Sequence, residues 1–223
     1  MPFSFPIRQI FGIGQNYAAH ARELGSPLPE RPVMFTKNPA AALASGAEIV
    51  IPLICREHGP QVDFEGELAV IIGASARDVP KAQALEHVMG YAAANDVSAR
   101  WWQKQGSGGQ FCRGKSFDTF CPLSRIRPAA EVPDPQALRI ITRLNGAVMQ
   151  DSPTSDMIFS VADLISELSR GMTLMSGTVI LTGTPSGVGA GRTPPVFLKD
   201  GDEIEVEIDG VGVVSNRVVE EKP

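Results

Sequence analysis

Residues 62–72 constrain the possible fold more than any other part of the sequence. Their first half alternates between polar and apolar side chains, which places Asp63, Glu65 and Glu67 on one face of a predicted strand. Their second half, residues 68–72, is apolar on both faces, a pattern typical of a strand that is covered on both sides. The chain is therefore expected to build a layered core around a buried strand with acidic side chains at one end.

Glu65 and Glu67 are two residues apart on this strand, so their side chains point to the same side. Two carboxylates in a mostly apolar neighbourhood repel each other, and a hard cation such as Mg²⁺ or Mn²⁺ would remove that conflict. Asp96 ends another predicted strand, residues 91–95, and is a candidate third ligand. The pattern also fits a simpler interpretation, in which Asp63, Glu65 and Glu67 form the solvated face of an edge strand.

Many short strands and few helices are predicted for the rest of the chain. The 22 glycines and 18 prolines suit frequent turns, and Asn145 followed by Gly146 is a strong signal for a two-residue hairpin. We therefore expect a β-rich α+β fold. The elements with the clearest patterns are strands 138–144, 147–150, 203–208 and 211–219 and helices 17–24 and 161–170.

The charge balance and the apolar runs exclude several classes of partner. The formal net charge is −5, whereas nucleic acid or an anionic membrane calls for a basic patch. The longest apolar runs are the length of a strand, too short to span a bilayer, and the N-terminal residues lack the pattern of a secretory signal. The three cysteines are sparse and odd in number, which favours reduced thiols. We expect a cytoplasmic protein that binds neither nucleic acid nor membrane.

Several charged side chains are candidates for catalysis or substrate binding. His20 and Glu23 share a face of the predicted helix, so the carboxylate could orient the imidazole as a general base for water. The alternative is an incidental pair on a surface helix. Lys115 could neutralise a carboxylate or an enolate next to the metal, and Arg100 and Lys37 could hold a substrate carboxylate. The alternative for these three is an ordinary exposed charge.

Six blocks of the sequence resemble the fumarylacetoacetate hydrolase family and follow one another in the order found there. They are similar to its lid segment, Glu-x-Glu strand, third-ligand segment, lysine segment, the stretch before the long helix, and a Gly-rich loop. The blocks are residues 14–23, 62–73, 90–100, 113–122, 157–159 and 179–189. The resemblance implies that residues 1–223 form a single catalytic domain with a mixed β-sandwich roll, the fold of the family's C-terminal domain, and that the protein is a homodimer.

The resemblance also implies a set of site residues. The implied ligands of a Mg²⁺ or Mn²⁺ ion are Glu65, Glu67 and Asp96. The implied catalytic residues are His20 and Glu23, which would activate water, and Lys115, which would support an enolate. The implied residues that bind a small keto acid substrate are Lys37, Arg100, Gln103 and Thr184.

The implied reaction is metal-dependent hydrolysis of a carbon–carbon bond in a small diketo acid of the acylpyruvate or fumarylpyruvate type, with oxaloacetate decarboxylation as a further activity. One alternative is isomerisation or hydration of an unsaturated 2-oxo-dicarboxylate in aromatic degradation, which needs the metal but not His20. The other is a non-catalytic member that binds a keto acid. Gln15 stands where many acylpyruvate hydrolases have Arg, and Trp101 where many relatives have Asp. The sequence therefore leaves the substrate open.

Overall fold

The computed structural model of the protein describes residues 5–23 and 25–222. Most of the regular structure in these residues is β-strand, and the strands are short. In chain order they are β1 Gln9–Gly14, β2 Val33–Lys37, β3 Ala42–Ala44, β4 Ile49–Ile51, β5 Val62–Asp63, β6 Gly66–Ile72, β7 Val88–Asn95, β8 Ser98–Ala99, β9 Cys121–Leu123, β10 Arg127–Pro128, β11 Arg139–Leu144, β12 Ala147–Pro153, β13 Thr178–Leu181, β14 Glu203–Ile208 and β15 Gly212–Glu220.

The helices are short. The α-helices are α1 Ala18–Glu23, α2 Arg100–Gln103, α3 Cys112–Lys115 and α4 Val161–Ser169. The 3₁₀ helices are Pro39–Ala41, Leu53–Arg56, Lys81–His87, Gln105–Ser107, Ala129–Glu131, Thr154–Asp156 and Gly189–Gly191. Throughout the described part of the chain, every helix falls short of the length and apolarity needed to cross a membrane.

The strands form two larger sheets and one small pair. The eight-stranded sheet has the order β2-β1-β13-β6-β7-β9-β3, with β10 paired to β7, and the five-stranded sheet has the order β12-β11-β14-β15-β4. Both sheets are mixed, because β1 runs parallel to β13 and β15 parallel to β4, whereas β6 is antiparallel to β7 and β14 to β15. Mixed sheets with few helices confirm the predicted β-rich α+β class.

The buried strand predicted from the sequence is β6, and it lies inside the larger sheet. Leu68, Val70 and Ile72 pack into a core that also contains side chains of β11, β14 and α4. Ala69 and Ile71 pack into a second core on the opposite face of the sheet. Both faces of β6 are therefore covered, as the uninterrupted apolar pattern predicts.

The predicted single strand over residues 62–72 is interrupted between β5 and β6. The Phe64 N–H donates to the Asp63 carboxylate at 2.9 Å, and the Glu65 N–H donates to the Asn95 side chain at 3.0 Å. These two N–H groups are therefore not available to a neighbouring strand. The interruption places Glu65 outside the regular ladder, at the entrance to β6.

The predicted hairpins and the longer helix are confirmed. β11 pairs with β12 across Asn145–Gly146, although β12 continues to Pro153, and β14 pairs with β15. α4 begins after Ser160, whose hydroxyl accepts the Asp163 N–H while the Asp163 carboxylate accepts the Ser160 N–H. This capping box satisfies backbone donors that would otherwise have no partner at the start of the helix.

Candidate active site

The antiparallel pairing of β6 with β7 brings the predicted metal ligands together. Gly66 lies opposite Asn95 in the register, so Glu65, just before β6, lies beside Asp96, just after β7. The Asp96 N–H donates to the Glu65 carbonyl oxygen at 2.8 Å. The side chain of Glu67 joins them from the start of β6. One carboxylate oxygen from each of the three residues lies within 4.8 Å of the other two.

These three carboxylates, which we call the carboxylate cluster, are buried. Glu65 is 5% exposed, Glu67 1% and Asp96 0%. The alternative that Asp63, Glu65 and Glu67 form a solvated face of an edge strand is wrong, because β6 is an interior strand and Asp63 is also buried. Within residues 5–23 and 25–222, no other group of three or more Asp, Glu, His or Cys side chains is close enough to share a metal ion.

Three cations pair with the cluster inside the protein. The Lys115 Nζ atom lies 2.6 Å from an oxygen of Glu65 and 2.6 Å from an oxygen of Asp96. Arg100 Nη1 lies 2.6 Å from the other oxygen of Glu65, and the Lys37 ammonium pairs with the other oxygen of Asp96. All three cations are buried, so the alternative that they are ordinary exposed charges is wrong.

The pKa values of Glu65 and Glu67 are shifted in opposite directions. Burial alone would raise the pKa of Glu65, but the charges of Lys115 and Arg100 outweigh it and hold this pKa below its ordinary range. Burial, followed by the negative charges of Asp96 and Glu65, raises the pKa of Glu67 well above its ordinary value. Glu67 is therefore the ligand candidate whose negative charge is least compensated.

The cluster fits a hard divalent cation. All of its donors are carboxylate oxygens, the ligands that Mg²⁺ and Mn²⁺ prefer in proteins. The uncompensated repulsion at Glu67 is the feature that such a cation would relieve. The donor set suits Mg²⁺ and Mn²⁺ equally well.

His20 and Glu23 form a pair on α1. This helix, Ala18–Glu23, confirms the predicted helix 17–24 except at its two ends, and Leu24 lies outside the described residues. The His20 Nδ1 atom is 3.1 Å from Glu23 Oε2, and His20 is only 4% exposed. The pair is therefore not a surface pair, and its role in activating water stays a prediction. A carboxylate at Nδ1 favours the tautomer with the proton on Nδ1, which leaves Nε2 free to accept a proton.

A cavity of about 230 Å³ lies between the carboxylate cluster and α1. A cavity of this size suits a small acid rather than a polymer. Its polar lining consists of Gln15, His20, Ser26, Glu65, Arg100, Gln103, Lys104, Lys115 and Thr184, and its remaining lining consists of Ile13, Gly14, Phe35, Phe111 and Ala190.

Arg100, Gln103 and Thr184 are the predicted substrate-binding residues that line this cavity. Ion pairs with Asp63 and Glu65 fix Arg100, and hydrogen bonds fix Gln103 and Thr184. Gln103 Oε1 accepts a hydrogen bond from Arg100 Nη1 at 3.0 Å. The Thr184 hydroxyl donates to the Gly66 carbonyl oxygen at 2.9 Å and accepts from Gln150 Nε2 at 2.7 Å. These bonds hold both side chains beside the cluster, although their contact with a substrate stays a prediction.

Lys37 occupies a different place from the one predicted. It is absent from the cavity lining, and its ammonium donates to the Asp96 carboxylate and to the carbonyl oxygens of Val97 and Phe120. These bonds use all three of its N–H donors. The geometry therefore corrects the expected contact with a substrate carboxylate and gives Lys37 a supporting role behind Asp96.

Two residues were not assigned a role from the sequence. Asp63 accepts hydrogen bonds from Arg100 Nε and Nη2 at 2.8 and 2.6 Å and from the N–H groups of Gly189 and Ala190 at 2.8 and 2.9 Å. Its place in the acidic alternation of residues 62–72 is a signal, but its partners are distant in sequence. Lys104 lines the cavity and is exposed; among the described residues it is the one lining cation without a carboxylate partner.

The two departures from the family pattern lie in different places. Gln15 lines the cavity and has a left-handed backbone, with φ 58°. Trp101 is not among the lining residues; its ring stacks on His58 with centroids 3.5 Å apart. Gln15 is therefore the departure that can affect the ligand directly.

The fold and the carboxylate cluster define a class of β-rich roll proteins with a candidate metal site beneath a small cavity. The sequence matches the fumarylacetoacetate (FAA) hydrolase C-terminal family over residues 9–219. The chain belongs to the fumarylacetoacetate hydrolase family, as the motifs predict.

The relatives that the chain matches are named for different reactions. The chain is 45% identical over 97% of its length to the oxaloacetate tautomerase YisK of Bacillus subtilis. It is 37% identical, with a TM-score of 0.86, to fumarylpyruvate hydrolase from Pseudomonas aeruginosa in complex with Mn²⁺ and pyruvate, covering 97% of this chain and 91% of that one. It is 40% identical, with a TM-score of 0.83, to 5-carboxymethyl-2-hydroxymuconate delta-isomerase from Mycobacterium smegmatis. This match covers 96% of this chain and 80% of that one.

The chain is shorter than its curated relatives. It spans 71% of the length of YisK and 65% of the length of the mitochondrial oxaloacetate tautomerases FAHD2A and FAHD2B of Bos taurus. It therefore spans about two thirds of the length of the curated relatives that it matches.

Proposed function

We propose that the protein catalyses metal-dependent keto–enol chemistry on a short 2-oxo-dicarboxylate, of the oxaloacetate tautomerase type. One observation carries this proposal: Glu65 of the carboxylate cluster and His20 of the His20–Glu23 pair line the same small cavity. The name of the relative YisK, at 45% identity, supports the same class of substrate. We propose Glu65, Glu67 and Asp96 as the ligands of Mg²⁺ or Mn²⁺.

The chemistry follows from the groups that line the cavity. A divalent cation, when bound, supplies a Lewis acid that polarises the 2-oxo group and stabilises the enolate charge. His20, with its Nδ1 proton directed to Glu23, accepts a proton at Nε2 from the carbon next to the oxo group and delivers it to the enolate oxygen, which gives the enol; the same two transfers in reverse give the keto form. The positive charges of Lys115 and Arg100, fixed beside Glu65, favour the developing negative charge.

The two ends of the substrate need different partners. Gln103 and Thr184 offer polar groups close to the cluster, where the oxo-acid end would lie. Lys115 and Arg100 are already paired with carboxylates, whereas Lys104 has no such partner among the described residues. Lys104 is therefore the candidate to hold the second carboxylate.

A second candidate function is hydrolysis of a carbon–carbon bond in an acylpyruvate or a fumarylpyruvate. The observation that favours it is again His20, because a general base in a buried site can activate a water molecule as well as remove a proton from carbon. The structural relative named fumarylpyruvate hydrolase supports it. Decarboxylation of oxaloacetate would use the same enolate. Isomerisation, as in the name of the delta-isomerase relative, would not need activated water.

The test follows the decay of enol-oxaloacetate by ultraviolet absorbance, with Mg²⁺ or Mn²⁺ and with EDTA. We expect the wild type to accelerate this decay only when metal is present, and Glu67→Gln to lose the acceleration. In His20→Ala the catalysed rate should fall about 100-fold, the usual size of a general-base contribution. The matched control is Glu57→Gln, which removes an exposed carboxylate and should keep full activity. Decay at the uncatalysed rate in the presence of metal would contradict the proposal.

The same variants separate the second candidate. Release of pyruvate from acylpyruvates and fumarylpyruvate is followed with a coupled lactate dehydrogenase assay. Metal-dependent release that disappears in His20→Ala would assign hydrolysis to this site. Turnover of unsaturated 2-oxo-dicarboxylates that survives His20→Ala would favour isomerisation, and binding of a keto acid with no turnover of any substrate would favour a non-catalytic role.

A further inference from the structure

The Gly-rich loop at residues 183–191 is held by three carboxylates, two from residues 63–67 and one from α1. The Gly183 N–H donates to Glu67 at 2.7 Å, and the Gly187 N–H donates to Glu23 at 2.9 Å. The N–H groups that follow, at positions 189 and 190, donate to Asp63. The loop therefore contacts the carboxylate cluster, the His20–Glu23 pair and the partner of Arg100 through its backbone.

Glu23 divides its two oxygens between the loop and the imidazole. Oε1 accepts the Gly187 N–H, while Oε2 lies 3.1 Å from His20 Nδ1. A carboxylate that is fixed at one oxygen loses less conformational freedom when the other oxygen binds the imidazole. The Gly187 backbone thus contributes to the orientation of His20 without touching it.

Gly191 provides the space in which the Glu23 side chain lies. A Cβ atom placed on Gly191 would be 2.5 Å from both Cγ and Cδ of Glu23 and 2.7 Å from Oε1. The Gly191 φ is outside the left-handed region, so alanine is compatible with the backbone there. The atoms that would have to move belong to a flexible side chain rather than to the core.

Asp63 anchors the same loop to Arg100. Its carboxylate accepts two hydrogen bonds from the Arg100 guanidinium and the N–H groups of Gly189 and Ala190. Asp63 is fully buried, so this connection is protected from water. A continuous set of hydrogen bonds therefore runs from Arg100, beside the carboxylate cluster, through the loop to Glu23.

We infer that Gly191 is a positioning residue: the absence of a side chain there lets the loop hold Glu23 so that it fixes the Nδ1–H tautomer of His20. The consequence for turnover rests on the proposed function, but the effect on the tautomer does not. The loop fixes the position of the imidazole relative to the carboxylate cluster, because its backbone binds Glu67 at one end and Glu23 further along.

The first test is independent of activity and measures the tautomer of His20. Two-dimensional ¹H–¹⁵N spectra of the ring nitrogens are recorded at about pH 8, above the ordinary pKa of histidine. The chain has three histidines; the exposed His58 serves as the internal control, and the half-buried His87, whose Nδ1 lies 3.1 Å from the Ala74 carbonyl oxygen, serves as a reference for the Nδ1–H tautomer. We expect His20 to be almost entirely the Nδ1–H tautomer in the wild type and a mixture in Gly191→Ala, with Glu23→Gln as a comparison. A Gly191→Ala spectrum identical to the wild type would overturn the inference.

The second test measures coupling in turnover. We expect Gly191→Ala to lower kcat for oxaloacetate tautomerisation about tenfold, with KM within about twofold, because a misplaced base slows proton transfer more than binding. In a His20→Ala background, Gly191→Ala should lower kcat no further. Equal losses in both backgrounds would show a merely structural role. If the wild type itself does not accelerate tautomerisation, the proposed function fails, and the tautomer measurement alone decides the inference.

Discussion

Lys115 shows which contacts of a single residue in this site could be predicted from the sequence and which could not. Its ammonium bridges Glu65 and Asp96, at 2.6 Å from each. The spacing of Glu65 and Glu67 and the position of Asp96 after a strand made the cluster one of two interpretations, and the resemblance to the family implied it. The cations could not be paired with it from pattern alone, because Lys37, Arg100 and Lys115 come from three different segments that only the tertiary fold brings together.

Removing the ammonium of Lys115 should destabilise the metal-free protein strongly. We expect Lys115→Met to lower the free energy of unfolding by about 3 kcal/mol in EDTA, because two buried carboxylates each lose one of their two cationic partners. Added Mg²⁺ or Mn²⁺ should recover part of this loss by binding the folded state. Urea denaturation with and without metal measures both effects.

The control for this comparison is Lys199→Met, which removes an exposed ammonium with no ion pair among the described residues. It should change the unfolding free energy by less than about 0.5 kcal/mol. If Lys115→Met loses the same unfolding free energy relative to the wild type with and without metal, the prediction is wrong.

Lys104 should decide between dicarboxylate and monocarboxylate substrates. Lys104→Gln is expected to raise KM for oxaloacetate about fivefold with little change in kcat, since a partly exposed ion pair contributes about 1 kcal/mol. Hydrogen–deuterium exchange at C3 of 2-oxobutanoate, which has the same chain length without the second carboxylate, should be unaffected. An equal change for both substrates would contradict this role, and Lys199→Gln is the matched control.

At the scale of single elements, local signals predicted the regular elements well and the irregular ones poorly. The Asn145–Gly146 hairpin and the capped helix α4 follow from short-range chemistry and are confirmed. The interruption between β5 and β6 depends on the Asn95 side chain, which is distant in sequence, so alternation over residues 62–72 could not indicate it. The contacts of the Gly-rich loop were missed for the same reason.

The capping box of α4 should make stability depend on pH. Burial opposes ionisation of Asp163, but hydrogen bonds from Lys81 and Ser160 outweigh it and lower its pKa in the folded state. A lowered folded-state pKa stabilises the protein above the unfolded pKa, and this stabilisation disappears as the pH falls through the folded value.

Asp163→Asn tests this element directly. At pH 7 it should lower the unfolding free energy by about 0.5 kcal/mol, a modest value because Asp163 is partly exposed and its ion pair with Lys81 is screened. Thermal unfolding at pH 7 and in acid measures the difference, which should shrink as the pH falls below the ordinary range of aspartate. A difference that is constant with pH, or that grows in acid, would count against the assignment.

At the scale of the whole molecule, the apolar pattern of β6 predicted a layered core, and the two mixed sheets and the family match confirm the fold class. Strand order could not be derived from the pattern, because it depends on pairings between distant segments such as β1 with β13. The single domain, the homodimer and the cytoplasmic location stay predictions. The substrate likewise depends on a cavity assembled from many separate parts of the chain.

The central claim is that the carboxylate cluster binds a catalytic divalent cation. The most direct test is titration of the protein with Mn²⁺, followed by electron paramagnetic resonance of free Mn²⁺, for the wild type, Glu67→Gln and the exposed control Glu57→Gln. We predict a single Mn²⁺ site per chain in the wild type and in Glu57→Gln, displaced by Mg²⁺, and its loss in Glu67→Gln while thermal unfolding remains cooperative. Mn²⁺ binding of equal affinity and stoichiometry in Glu67→Gln would contradict the account.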